Sequence, residues 1–453
     1  MAKNETPLLI QPIEIIRIFA QSLLKTAPSR ARFAMLGCYI RKDLEDMKRF
    51  VLVLAVVTFA LTVAADEYTD PLTNVVYTYD PNGTTAEVKK GVRHDLDGST
   101  VYKAGSPNAS GSVVILEKVI VNGKEFSVTK IGDFAFSMLN ELIHVSIPSS
   151  ISSIGFEAFA GCSKLESIDI KEGLQEICQE SFRGCVSLKS VLLPLGLESI
   201  GFGAFSGCQE LTSIIIPASV SDIHVTSFYS CNSLGSIIVE EGNSVYDSRC
   251  NCNAIVKTAD NMLLIGCMNT DIPESITSIG EKAFMSCQGL SVIGVPESVR
   301  EIGNYAFENC TNLRELTLSE GLQAIRWGAF WNCGLTTVIV PASVREIEPG
   351  AFWMSKLATL TSLIEEPFEV NKICNLDACQ TALYVPVGSI EKYRVTPDWS
   401  QFPEIQEIGT NKVGAVSFVS DNYSDTLIDL QAHRLSGQPQ KGIYIQNGKK
   451  ILK

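Results

Sequence analysis

Between Ile131 and Phe352 the chain repeats one apolar pattern, and this period constrains the fold more than any other property of the sequence. The unit reads L-x-x-I-x-I-P-x-x-V-x-x-I-G-x-x-A-F-x-x-C. It is clearest from Leu211 through Ile214, Ile216, Pro217 and Val220 to Ile223, and again from Leu290 to Cys310. The phenylalanine of each unit falls at Phe136, Phe159, Phe182, Phe205 and Phe228, then at Phe284, Phe307, Phe330 and Phe352. The steps are 23 residues four times, then 56, then 23, 23 and 22. A fixed period in the twenties with recurring Leu, Ile and Phe marks a solenoid, whose coils bury their apolar faces only by stacking on their neighbours.

Residue types within the unit follow strand geometry. In Leu165-Glu166-Ser167-Ile168-Asp169-Ile170 the alternation sends Ile168 and Ile170 inward and leaves Ser167 and Asp169 on the outer face. Pro217, Pro296 and Pro341 end their strands because proline brings no N–H to a ladder. A second inward pair such as Val220 and Ile223 follows, then the Ala-Phe pair. Seven of fourteen cysteines share one repeat position: Cys162, Cys185, Cys208, Cys231, Cys287, Cys310 and Cys333. Equivalent residues on stacked coils point the same way at the strand spacing of about 4.8 Å, too far and too parallel for disulfides, so buried thiols are expected.

The first 65 residues read as targeting sequence. Met47-Lys48-Arg49, the apolar run Phe50 to Val63, and Val63-Ala64-Ala65 before Asp66 make a cleavable secretory signal over 47–65. Met47 is then the expected start, with 1–46 an extension outside the working protein; the alternative is a membrane-surface helix at Ile13 to Leu24. The apolar run is short for a spanning helix, so no membrane span is expected in the mature chain. Residues 1–65 hold nine basic and five acidic side chains, leaving 28 and 45 in the remainder, a net charge of −17. That excess argues against nucleic acid as a partner.

Residues 66–122 lack the repeat but carry period-two runs, Asn74 to Tyr79 and Ser112 to Leu116, and read as an N-terminal β cap. The solenoid spans 123–408. The 56-residue step is two periods plus ten residues, and the excess reads as a β-hairpin inserted at 242–271, with a turn at Ala259-Asp260-Asn261. Cys252 and Cys267 face each other across it, either as a disulfide or as free thiols. Residues 409–453 read as a linker and a β tail, Ile443 to Gln446 and Lys449 to Leu452 flanking Asn447-Gly448 as a type I′ hairpin.

These repeats resemble the bacterial leucine-rich repeats of the BspA-like (Bacteroides surface antigen) family, from Ile131 to about Ile408. Leu383-Tyr384-Val385-Pro386 and Trp399 to Ile408 resemble that family's closing segment, and Tyr246-Asp247-Ser248-Arg249 with Cys252-Asn253-Ala254-Ile255 resembles its recurrent insertion. The resemblance implies a leucine-rich repeat solenoid, with short parallel strands on one face, short helical or 3-10 turns on the other, and β caps at both ends. It implies a secreted protein or one on the bacterial cell surface, outside the outer membrane, that adheres to host or neighbouring-cell proteins and has no catalytic site. Lys441 to Ile451 resembles the sorting tails of proteins exported by the type nine system of Bacteroidetes; a small β appendage is the other reading.

No catalytic motif accompanies the repeat. There is no G-x-S-x-G, H-E-x-x-H, phosphate loop or calcium loop, and neither a cofactor nor a metal is expected. The expected activity is binding of an extracellular protein; a glycan held beside degradative machinery is the alternative. Two surfaces are candidates. Leu192, Ile215, Ile238 and Ile339 punctuate the strand face among Ser167, Ser190, Ser213, Ser236 and Thr337, and are read either as a protein-binding strip or as residues that simply favour strands. Trp331 and Trp353 each follow a repeat phenylalanine, with Trp327 four residues before Trp331. They form an expected aromatic patch, unless residues 364–400 fold back over them.

Overall fold

The computed structural model describes residues 66–96, 99–374 and 381–409, and strands at 427–428, 443–446 and 449–452. The signal sequence, the extension before it, the linker beyond Gly409 and the Asn447-Gly448 turn lie outside these residues. The fold is a β-solenoid with almost no helix. The described residues fall into two compact units: one runs to Pro273 and includes Ile279–Leu290, and the other comprises Glu274–Ser278 and continues from Ser291.

In the first unit two rows of parallel strands stack at the sequence period. One row holds Gly111–Val114, Leu142–Ile147, Ser167–Ile170, Ser190–Val191, Ser213–Ile216 and Ser236–Val239. Its register pairs Ser167 with Ser190, Ser190 with Ser213, and Ser213 with Ser236. The other row pairs Lys124–Ile131 with Ser153–Ile154, then Glu176–Ile177, Ser199–Ile200 and Asp222–Ile223. Ile154, Ile177, Ile200 and Ile223 from this row meet Ile168, Val191, Ile214 and Ile237 in one core. The strand expected at Ser112 to Leu116 pairs with Leu142–Ile147 and sends Val113 into that core, so it joins the first coil. Asp66–Thr69, Val76–Tyr79 and Thr85–Val88 extend the second row antiparallel to one another.

Where the family resemblance leads one to expect helical or 3-10 segments, the structure has a third ladder made of turns. The residue two before the repeat phenylalanine is left-handed at Glu157 (φ 47), Glu180 (φ 54) and Gly203 (φ 57), and the residue two after it at Gly161, Gly184 and Gly207 (φ 71, 71 and 74). A right-handed helix cannot run through positions that alternate in hand, and for L-residues each costs about 1–2 kcal/mol unless neighbouring coils enforce it. The enforcement is backbone hydrogen bonding along the stack: the N–H of Phe136 donates to Ala158, that of Phe159 to Ser181, and that of Phe182 to Ala204, at 2.7, 2.8 and 2.8 Å. Alternate amides therefore point to the next coil, while those between them, such as Ala158 to Gly155 and Ala160 to Glu157 at 3.3 and 3.1 Å, close turns within their own segment.

Inside this ladder the phenylalanines form a column. Phe136, Phe159, Phe182, Phe205 and Phe228 stack at 5.0, 5.2, 5.2 and 5.5 Å with nearly parallel planes. A thiol column runs beside it, each Sγ donating to a phenylalanine carbonyl of the preceding coil: Cys162 to Phe136, Cys185 to Phe159, Cys208 to Phe182 and Cys231 to Phe205, at 3.1–3.3 Å. Burial pushes the Cys162 and Cys231 thiols up to about 12. Thiolate, the nucleophile, is then absent at pH 8. Brief iodoacetamide treatment at that pH should label the exposed Cys250 and leave these four unlabelled in the native protein; label on them would contradict the buried column.

The hairpin insertion belongs to the first unit. Tyr246–Asp247, Ala254–Lys257 and Met262–Gly266 pair antiparallel. Cys252 and Cys267 are both free, each donating its thiol to a nearby carbonyl, Ala254 at 3.8 Å and Asn253 at 3.2 Å. The register sets Ala254 opposite Gly266, so the two cysteines are not directly across from each other.

The second unit repeats the plan. Val292–Val295 pairs with Glu315–Leu318, and Thr337–Val340 pairs with Thr359–Ser362, followed by Ala382–Val385 and Glu404–Glu407. Its C-terminal end is closed by a mixed segment, not by strands alone: the helix Ile390–Val395 and the 3-10 turn Trp399–Gln401 bury Tyr393 and Trp399 completely. The Trp399 indole donates to the Phe368 carbonyl at 2.9 Å, which satisfies its one polar group.

Candidate functional site

The strand row of the first unit presents an outer face of side chains, because alternation leaves every second one with no core to enter. One column on that face is polar. His144, Ser167, Ser190, Ser213 and Ser236 follow one another in register, and His144 Nδ1 lies 2.9 Å from Ser167 Oγ. The adjacent column begins with Ser146 opposite Asp169 and turns aliphatic along the stack, with Ile215 opposite Ile238. Leu192 stands two residues beyond Ser190, as Ile215 stands two beyond Ser213, and so continues that column.

These aliphatics are open to solvent: Leu192 is 73% exposed, Ile215 43% and Ile238 47%. Burying them against a partner would remove apolar surface from water at about 25 cal/mol per Å². The ion pairs flanking the strands, Lys164 with Glu141 and Lys189 with Glu166, are exposed on both sides and contribute about 0–1 kcal/mol each. They mark the solvated rim of the face.

Ile339, the fourth aliphatic candidate, lies in the second unit. It is half-buried and pairs opposite Thr361. The outer face there is mixed, with Glu315, Thr317 and Thr337 exposed beside Val292, which is 52% exposed. The tryptophans are brought together in this unit: Trp327 and Trp331 lie 5.6 Å apart between ring centroids, and Trp331 and Trp353 6.1 Å. All three are half-buried. Tyr305 adds a fourth ring, edge-on to Trp327 at 4.5 Å. Sequence reasoning missed Tyr305, because Asn304 and not Tyr305 stands one 23-residue step before Trp327.

The hairpin carries a polar cluster of its own. Arg249 donates to both carboxylate oxygens of Asp247 at 2.8 and 2.6 Å and to Asn261 at 2.6 Å. Burial works against the Asp247 charge, but the Arg249 hydrogen bonds outweigh it and hold the carboxyl below its ordinary value. The pair closes the hairpin and offers no open coordination position. Among the described residues, no group of three His, Cys, Asp or Glu side chains is arranged to hold a metal. No helix among them is long and apolar enough to cross a membrane.

The sequence matches the BspA type leucine rich repeat region in six copies, over residues 124–257 and 264–359. No curated protein matches it. Among solved structures, the pneumococcal vaccine antigen PcpA is 21% identical over 77% of this chain and 100% of its own, with a TM-score of 0.51. A leucine-rich repeat protein from Bacteroides ovatus is 23% identical over 75% of this chain and 76% of its own, with a TM-score of 0.48. A leucine rich cell surface protein from Faecalibacterium prausnitzii is 21% identical, covering 76% of this chain and 96% of its own, with a TM-score of 0.41. At these identities the likeness to PcpA speaks for the fold alone.

Proposed function

Because the chain belongs to the BspA-type leucine-rich repeat family, we propose that it is an exported or cell-surface binding module that holds an extracellular protein on its strand face and performs no chemistry. Leucine-rich repeats of this type generally serve as non-catalytic binding scaffolds. The observation that carries the reading is the column of Leu192, Ile215 and Ile238, three large aliphatics exposed side by side on a rigid ladder. Aligned exposed aliphatics of this kind mark interaction sites on soluble proteins. A rigid surface also loses little conformational entropy on binding. The secretory signal read at 47–65 and the acidic balance of the remaining residues support an extracellular setting, where the partner is a host or neighbouring-cell protein.

The test is site-specific photo-crosslinking. A photoreactive phenylalanine analogue placed at Ile215 should capture a partner from a panel of purified matrix proteins. The same group at Phe202, on the turn side of the same unit and 44% exposed, should not. Equal capture from both positions, or capture from Phe202 alone, would reject the strand face as the site.

A further inference from the structure

The turn side of the second unit carries a row of four rings, Tyr305, Trp327, Trp331 and Trp353, linked at 4.5, 5.6 and 6.1 Å. The row is seated on backbone. A Cβ added at Gly350 would come within 3.3 Å of the Trp331 ring, so the absence of a side chain there lets the indole lie against the main chain. Rings held in this way are pre-organised, and each tryptophan keeps part of its surface in water.

A second, independent feature is the state of the indole N–H groups. Indole can only donate. Trp399, fully buried, donates to the Phe368 carbonyl. Among the described residues no acceptor takes the N–H of Trp327, Trp331 or Trp353, so three donors beside three apolar ring faces are left to solvent. The row is also interleaved with polar side chains. Asn304 and Glu348 accept the backbone N–H of Trp327 at 3.2 and 3.0 Å, and Asn332 donates to Asn309 at 2.8 Å.

We propose that this row binds a neutral polysaccharide. A sugar ring presents C–H faces that stack on aromatic rings and a rim of hydroxyls that needs donors and acceptors in the same plane. The indole N–H groups supply the donors, and the carboxylates and amides supply the acceptors. The core of a protein–protein interface is depleted of charge, whereas here the Glu348 carboxylate and the Asn304 amide bond the Trp327 backbone, and the Asn309 and Asn332 amides stand on the same coils as the rings. The same carboxylates, with Glu301 and Glu346 gathered around Arg326, repel a sulfated or uronic-acid chain. This site is separate from the strand face of the first unit, so either can fail alone.

The experiment is affinity gel electrophoresis of the whole protein in gels containing galactomannan, mixed-linkage β-glucan or amylopectin, with heparin and polygalacturonate as anionic controls. Tryptophan emission is followed in parallel. At least one neutral polymer should retard the protein and shift its emission. Trp331→Ala should weaken that retardation by about tenfold, the loss of one or two stacking contacts. Ile215→Lys should leave it unchanged. If Trp331→Ala does not fold, Trp327→Ala with Trp353→Ala, the rings flanking it, gives the same decision. Retardation by no neutral polymer, retardation by heparin alone, equal retardation of protein and variant, or tryptophan-dependent capture of a protein without any glycan would each overturn the proposal.

Discussion

Phe182→Ala should cost about 3–5 kcal/mol of folding stability, the range for truncating a large aromatic in a core that cannot collapse around the gap. Phe182 is fully buried and stacks on both sides, at 5.2 Å on Phe159 and 5.2 Å on Phe205. Its backbone N–H bond to Ala204 would survive the change, so the loss isolates ring packing. Because each coil contacts only its neighbours, a cavity in the middle of the column weakens two interfaces at once. Whole domains are stable by only about 5–15 kcal/mol, so this one change removes a large share. Urea unfolding followed by circular dichroism should show the midpoint fall. Phe352→Ala, whose ring stacks on Phe330 at 5.4 Å, should cost less, since its other neighbour, Ile373, is no ring. A Phe182 effect below about 1 kcal/mol would mean that the column is not the structural spine.

The repeat made most of the fold legible. Its period placed the phenylalanine and cysteine columns and the inward isoleucines, because stacking repeats the same environment at each coil and selects the same residue type there. The turn side was less legible. The family resemblance implied short helical or 3-10 turns, and only Gly161, Gly184 and Gly207, with Gly203 two residues before a phenylalanine, hinted that the hand of the backbone alternates. Where Glu157, Glu180 and Tyr305 occupy the same kind of position, no residue-type signal exists, since inter-coil hydrogen bonds impose a conformation those residues do not favour locally. The tryptophans came together without a helix for a related reason: successive turns stack in register, and Gly328 and Gly350 clear space beside the Trp331 ring. Ile339 shows the limit of pattern reading. It shares the repeat position of Ile215 and Ile238 but is half-buried, since equal repeat position does not fix equal exposure.

The strand face is the centre of the functional reading, and two lysines test it. Ile215 and Ile238 are paired neighbours, both exposed, with side chains directed away from the core. Ile215→Lys with Ile238→Lys should leave the unfolding midpoint almost unchanged, because substitutions at exposed positions shift stability by about 0.5 kcal/mol or less. At an interface the same pair would bury two ammonium groups with no partner, costing at least about 2.7 kcal/mol, a hundredfold in affinity. The measurement is surface plasmon resonance of both proteins against the matrix protein that the unaltered chain captures. The result expected is binding by the unaltered chain and a loss of at least about a hundredfold in the double variant, with folding intact. Binding that survives both lysines, or a chain that captures no matrix protein at all, would contradict the strand face as a protein-binding surface.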